Sequence, residues 1–218
     1  MRRLAVSAFL GVAFLAMAAS PAFAAGDAVF KDKNCSSCHY TTGPAQEKSI
    51  ADQLAKKGPE LWYAGSKFKK TWLLAWLQDP KPIRPMKYNS ITAKNGGDHP
   101  KLSAVDAAGV TDFLMGLTSA DVEAGLITPK YKPKAKLIFN KKMPCLGCHK
   151  SPDKKGNVSG GLSGPSLVGA SKRLNPDWIY AYLSKTTTFK PYRDMPDFAS
   201  YLSESKMKLL AAYVANFK

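Results

Sequence analysis

Two pentapeptides constrain this chain more than any other feature: Cys35-Ser36-Ser37-Cys38-His39 and Cys145-Leu146-Gly147-Cys148-His149. Both read C-x-x-C-H, and together they use all 4 cysteines of the 218 residues. Two thiols on one turn of backbone can reach both vinyl groups of a single protoporphyrin, and the histidine that follows brings its imidazole under the iron. A redox-active C-x-x-C needs a strand-to-helix context and has no use for a histidine at the same place twice. Structural zinc takes the same ligand types. Two complete pentapeptides with no thiol left over nevertheless favour two covalently attached haem c groups, held by Cys35, Cys38, Cys145 and Cys148, with His39 and His149 as proximal iron ligands.

The N-terminus sets the compartment. Met1-Arg2-Arg3 precedes an apolar run from Leu4 to Ala19, interrupted by Ser7 and Gly11, and Ser20-Pro21 and Ala22-Phe23-Ala24 follow. A positive start, an apolar middle and a small-x-small end predict a signal peptide over residues 1–24, cut after Ala24, and a periplasmic product. The run is short for a membrane anchor and ends at a helix-breaking Ser-Pro. The residues around Arg2-Arg3 do not fit the twin-arginine route. With 32 Lys+Arg against 16 Asp+Glu the chain carries +16, and cleavage leaves 194 residues at +14. Such a charge suits nucleic acid, an anionic membrane or an acidic protein, and export removes nucleic acid from that set.

The chain also repeats. Cys35 maps onto Cys145 at an offset of 110, Gly58-Pro59-Glu60-Leu61 onto Gly164-Pro165-Ser166-Leu167 at 106, and the Trp72–Leu77 segment onto Trp178–Leu183 at the same 106. Met86 maps onto Met195 at 109, each two residues after an arginine, Arg84 or Arg193. Val110, Phe113, Leu114 and Leu117 map onto Leu210, Tyr213, Val214 and Phe217 at 100. Offsets that change only between motifs are those of a tandem duplication diverging by loop insertion.

Periodicity predicts helices. The closing sets fall at i, i+3, i+4, i+7, one apolar helix face each. Ser103 and Asp106 form a capping pair for the first, and Ser203 and Glu204 open the second. Trp72 and Trp76 share a helical face, as do Trp178 and Tyr182. Short helices are expected over 27–34 and 135–142, where Phe30 and Phe139 would pack on the closing helices. No strand-like alternation of useful length occurs, so the expected fold is all-α. Thr118 to Pro133 loses periodicity and holds Gly125, Pro129 and Pro133, the pattern of a connector with a helical turn at 119–124. The expected plan is therefore domain 1 over 25–118, a linker over 119–133 and domain 2 over 134–218. Units of about ninety residues have little core of their own, and a porphyrin would supply the missing apolar body.

These motifs resemble the diheme class I c-type cytochromes: an N-terminal helix, C-x-x-C-H, Gly-Pro-x-Leu, an aromatic-rich helix, a loop with an axial methionine and a closing helix, each found twice. The resemblance implies two tandem cytochrome c-like helical domains, each wrapped around one covalently bound haem. It also implies that Pro59 and Pro165 pack by carbonyl or ring near the proximal histidines. Of the methionines beyond the signal, Met115 and Met207 fall in closing-helix patterns, and Met143 lies two residues before a haem cysteine. Met86 and Met195 stand 47 and 46 residues after their histidines in Pro-rich loops and are the axial candidates. Lys87 takes the place of the proline that usually follows such a methionine. His99 lies in Lys94-Asn95-Gly96-Gly97-Asp98-His99-Pro100 and is expected to be solvated, with pH-dependent displacement of Met86 from the iron as its alternative role.

Six-coordinate His/Met iron has no open position for a substrate and suits reversible one-electron transfer, so an electron carrier, not an enzyme, is expected. Nine lysines and one aspartate lie between Lys130 and Lys155, beside the second motif. Such a patch would steer an acidic redox protein, or a membrane or periplasmic oxidoreductase, with membrane contact only through that partner. The competing reading is a diheme enzyme. Diheme peroxidases are generally longer and need a displaceable ligand, and diheme thiosulfate dehydrogenases use a cysteine ligand that this chain does not have to spare.

Overall fold

The computed structural model describes residues 21–192 and 195–218, with side chains from residue 25 onward. Most of the expected signal peptide, and Arg193, lie outside the described residues; Pro21 to Ala24 form the start of helix α1 (Pro21–Asp32). That helix therefore begins before the expected 27–34.

Helix α5 (Ala104–Gly116) crosses α1 at two glycines. A Cβ on Gly26 would stand 2.0 Å from the Gly109 carbonyl oxygen, so the two backbones meet with no side chain between them. Phe30 and Phe113 pack beside the crossing, ring centroids 5.4 Å apart. Ser103 caps α5 as its sequence predicts, accepting a hydrogen bond from Asp106 N–H at 3.1 Å. Val110, Phe113 and Leu114 are buried on the face toward the core.

The second half repeats this plan with differences. Helix α6 (Pro133–Leu137) opens on proline and runs on as a π-helical turn over Ile138–Lys142, so the expected helix over 135–142 is split. Phe139 is wedged against Tyr213 and Phe217 at 5.7 and 5.5 Å. Both belong to the last helical stretch, α11 (Glu204–Val214) and its end, whose Ser203 hydroxyl meets Ser205 at 3.2 Å instead of capping a backbone N–H. Between these outer helices lie α2 (Ile50–Ala55), α3 (Ala64–Lys67) and α4 (Lys70–Gln78) in the first half. The second half has α7 (Cys145–Cys148), α8 (Ala170–Arg173), α9 (Pro176–Ser184) and α10 (Thr186–Phe189). The fold is mostly helical, but a small antiparallel ladder, β1 (Ser151–Pro152) with β2 (Val158–Ser159), departs from the strand-free expectation. The Asp153 carboxylate ties its turn by accepting from the backbone N–H of Lys155 and Asn157 at 2.7 and 2.9 Å.

The two halves meet along α3 and α8 in a way that reproduces the sequence repeat. Phe68 and Leu174 form an antiparallel bridge. Lys69 N–H donates to Arg173 C=O at 3.0 Å and Asn175 N–H to Lys67 C=O at 2.8 Å. The bridge joins residues that correspond at the offset of 106, and the same offset carries Lys67 onto Arg173 and Lys69 onto Asn175, so a local two-fold exchanges the two bonds. The side chains obey the same relation: the Lys67 ammonium lies 4.7 Å over Trp178, and the Arg173 guanidinium 5.9 Å over Trp72. Inside each half, Gly65 N–H reaches Leu117 C=O at 2.8 Å and Ser171 N–H reaches Phe217 C=O at 2.9 Å.

The connector is part of this packing. Ser119 N–H donates to Ser66 Oγ at 2.9 Å. The buried Asp177 carboxylate, in the first turn of α9, accepts from Gly125 N–H at 2.8 Å and Ile127 N–H at 2.7 Å. Residues 120–122 make a turn, not the helical turn expected at 119–124.

Candidate functional site

Each C-x-x-C-H motif folds onto itself as one helical turn. His39 N–H bonds Cys35 C=O at 3.0 Å and His149 N–H bonds Cys145 C=O at 2.9 Å, the first turn being 3-10 (Cys35–Ser37) and the second α7. Asn34, before the first turn, takes the left-handed φ of 55° that asparagine tolerates.

The two histidine rings are held alike. His39 Nδ1 lies 2.8 Å from Pro59 C=O and His149 Nδ1 2.7 Å from Pro165 C=O, the placement that the resemblance implied for both prolines. A carbonyl only accepts, so each Nδ1 carries the proton and each Nε2 keeps the lone pair that a metal needs. Burial pulls both imidazoles below the ordinary histidine pKa, against the opposing pull of the proline carbonyl, and so favours the neutral ligating form. Gly58 and Gly164 make the cradle: a Cβ there would stand 2.8 and 2.7 Å from the ring Cε1 of His39 and His149.

The surroundings of Cys35 and Cys145 are not those of a redox-active thiol. Burial raises Cys35 and pushes Cys145 up to about 11, whereas a dithiol-disulfide catalyst depends on a depressed thiol. Among the described residues no three His, Cys, Asp or Glu side chains gather into a metal-holding cluster, so the two cysteine pairs do not build a shared zinc site.

The sequence-predicted methionines sit in unlike surroundings. Met86 is buried at the base of a small loop ladder, bridged to Lys94 and flanked by Lys87 N–H to Ala93 C=O and Asn95 N–H to Pro85 C=O, both 2.9 Å. Met195 is half-buried and lines a cavity of about 640 Å³ together with Arg84, Gln53, Ser163 and Tyr192. There Arg84 donates one terminal nitrogen to Ser163 C=O at 2.9 Å, while its Nε is buried without a partner, as is Gln53 Oε1. An unmet guanidinium donor beside a thioether fits a porphyrin that brings two carboxylates. With paired thiols and a free Nε2 in each half, the residues present fit covalently bound haem.

His99 corrects the expectation of a solvated residue. It is half-buried, its ring 4.7 Å from that of Trp76 and 6.2 Å from that of His39, with Nδ1 3.0 Å from Pro100 C=O. Sequence reasoning also passed over Gly58 and Gly164 as ring cradles, Asp177 as the connector's anchor, and Lys67 with Arg173 as the paired cations between halves. For the last pair the repeat itself held the signal, since they correspond at 106 and precede matched tryptophans by five. Of the nine lysines from 130 to 155, Lys136 and Lys150 are half-buried and the rest exposed, as is Cys148.

Comparison with known proteins agrees with this geometry. Residues 23–118 match the family model for cytochrome c, and residues 133–214 match that for cytochrome C oxidase, cbb3-type, subunit III. The two matches support a class I c-type cytochrome, whose domains imply covalently bound haem c with iron and point to electron transfer. Among curated proteins, cytochrome c oxidase subunit 2 of Bacillus subtilis (strain 168) is 36% identical over 96 residues, 42% of this chain and 25% of that protein. The chain thus spans about a quarter of the length of that relative. No solved structure matches.

Proposed function

We propose that this chain is an exported two-haem c-type cytochrome that passes single electrons between protein partners, as a soluble carrier or as the cytochrome subunit of a respiratory oxidoreductase complex. One observation carries the reading: the whole proximal construction occurs twice, with His39 on Pro59 and His149 on Pro165, each over a glycine that leaves room for nothing larger. Haem bound there supplies a one-electron ferric/ferrous couple. The chain's own part is to hold it. Cys35, Cys38, Cys145 and Cys148 anchor the porphyrins, His39 and His149 ligate from the proximal side, and the distal side draws on Met195 in the second half and, in the first, on the 84–99 loop that carries Met86 and His99. Among the described residues no helix is long and apolar enough to cross a membrane. The family match to an oxidase subunit favours a respiratory partner, and the exposed lysines beside Cys148 favour an acidic face on it.

The test is a pyridine haemochrome count on protein secreted to the periplasm. Two haem c per chain are expected, falling to one in Cys35→Ala/Cys38→Ala and one in Cys145→Ala/Cys148→Ala. One haem in the unaltered chain overturns the proposal. Reduction by an acidic redox protein should slow as salt rises; a rate indifferent to ionic strength overturns the docking part.

A further inference from the structure

Three observations around His99 converge. The first is distance. Its ring centroid is 6.2 Å from that of His39. A nitrogen–metal bond of about 2.0 Å on each side, plus roughly 1.1 Å from each nitrogen to its ring centre, places two imidazoles that share one metal about 6.2 Å apart. The interplanar angle of 45° is compatible, because ligation of one metal by two imidazoles fixes no particular angle between their planes. The second is protonation. His99 Nδ1 faces Pro100 C=O at 3.0 Å just as His39 Nδ1 faces Pro59 C=O at 2.8 Å, so both rings donate from Nδ1 and keep the Nε2 lone pair free. The third is support. Trp76, on α4, lies against the His99 ring, and its own Nε1–H is fixed on Lys81 C=O at 2.9 Å. The approach to His99 is built as well: Asn95 donates from its side chain to Arg84 C=O at 3.1 Å and accepts from Gly97 N–H at 3.0 Å, and Gly97 takes a φ of 78°.

We propose that His99, through Nε2, is the distal ligand of the iron held by Cys35, Cys38 and His39, so that the first site has two imidazoles and the second has His149 and Met195. This rests on reading Cys35 to His39 as a haem site. The repeat makes the difference between the halves one of construction. Leu102 stands 16 positions after Met86 and Leu202 stands 7 after Met195, so the first interval, which carries His99, is nine residues longer. Met86 then serves as the buried base of that loop. A thioether raises a haem potential relative to an imidazole, so the first couple lies below the second, and an electron entering the chain rests at the second site, beside the exposed lysines.

The experiment uses the full holoprotein and variants Met86→Leu, Met195→Leu and His99→Gly, read by the far-red thioether-to-ferric-iron band, electron paramagnetic resonance and redox titration, with haem counted in each. Expected are two haems per chain, a thioether band worth one haem that survives Met86→Leu and vanishes in Met195→Leu, and two separated couples. His99→Gly should lose one low-spin signal, and added imidazole should restore it. A thioether band worth two haems, its halving in Met86→Leu, or an unchanged low-spin set in His99→Gly overturns the proposal while leaving two haems in place. A chain with one haem, bound only at Cys145 and Cys148, overturns the underlying reading as well.

Discussion

Gly164→Ala is the sharpest test of the proximal construction. The added methyl would stand 2.7 Å from both Cε1 and Nδ1 of His149 and 3.0 Å from Cys148 C=O, so backbone closes one side and the ring must yield on the other. Unstrained carbon contacts run about 3.5–4.0 Å, so the ring has to withdraw by roughly 0.8 Å or more. The Nδ1 to Pro165 C=O distance is 2.7 Å, and a shift of that size carries it to the edge of hydrogen bonding. Overpacking costs about 1–3 kcal/mol and a buried donor left without its acceptor about 1–3 kcal/mol more, so the variant should lose about 2–6 kcal/mol. The lost bond also leaves the imidazole a poorer donor to iron, which raises the midpoint potential of the second couple. Gly147→Ala is the control: it lies in the same motif, its Cβ would meet nothing within 4 Å, and it should change stability by about 0.5 kcal/mol or less. Denaturant unfolding of the two holoproteins, with a redox titration of each, reads both effects. If Gly164→Ala unfolds at the wild-type midpoint with the wild-type potential, the cradle argument is wrong for both halves, because Gly58 rests on the same contacts.

Other changes probe the joints of the fold. Asp177→Ala strips the acceptor from two connector N–H groups held at 2.7 and 2.8 Å, and should cost about 2–4 kcal/mol and open residues 120–130 to limited proteolysis; a connector as resistant as the wild type would refute its role. Burial, with Arg173 and Arg84 adding repulsion, lowers the Lys67 ammonium from 10.5 to about 7. Between those values the unfolded chain holds a proton that the folded one has released, so stability climbs as pH rises from about 7 toward 10.5. Urea midpoints across that window should rise less in Lys67→Met than in the wild type, and parallel slopes would show that Lys67 is not desolvated. Gly26→Ala sets a methyl 2.0 Å from the Gly109 carbonyl, forcing α1 and α5 apart by about an ångström at a cost of about 1–3 kcal/mol, seen as early melting of the first half by hydrogen exchange; protection equal to the wild type would refute the close crossing.

What the sequence disclosed, it disclosed through local rules. The closing helices follow from a 3.6-residue apolar period and, for α5, from a serine cap, both properties of a few neighbouring residues. The His-on-carbonyl contacts were reachable only through the family resemblance, because Pro59 lies 20 residues from His39 and no period links them. The joint between halves was hidden for a different reason. Lys67 and Arg173 look like ordinary surface cations until the repeat is folded on itself and each is carried over the other's tryptophan. The π turn at Ile138–Lys142 and the ladder at Ser151–Ser159 were equally out of reach, since tertiary packing of Phe139 and one aspartate turn decide them. Loop histidines are usually solvated, which is why the sequence favours that reading of His99 and keeps ligation of the iron in place of Met86 as its alternative.

The departures from symmetry divide into two kinds with different causes. At the crossing of the outer helices, the glycines of the first half give way to Ala135, four residues before Phe139 as Gly26 is four before Phe30, and to Leu209, which corresponds to Gly109 at the offset of 100. A backbone-to-backbone crossing is then closed to the second half, and Phe139 between Tyr213 and Phe217 supplies the contact instead, so the same joint is made by other means. The interval after the first methionine compensates for nothing. Its nine extra residues lengthen a loop, which costs conformational entropy, and they return that cost only through what the loop presents. It presents an imidazole 6.2 Å from the ring of His39, with Nδ1 engaged on Pro100 C=O. On the proposed reading, the main-chain joints shared by the two halves would hold two iron sites in a fixed relation, and the one unshared loop would make them chemically unlike. Two equal sites would pass an electron without direction; two unlike sites would give it a downhill step toward the lysine-rich face.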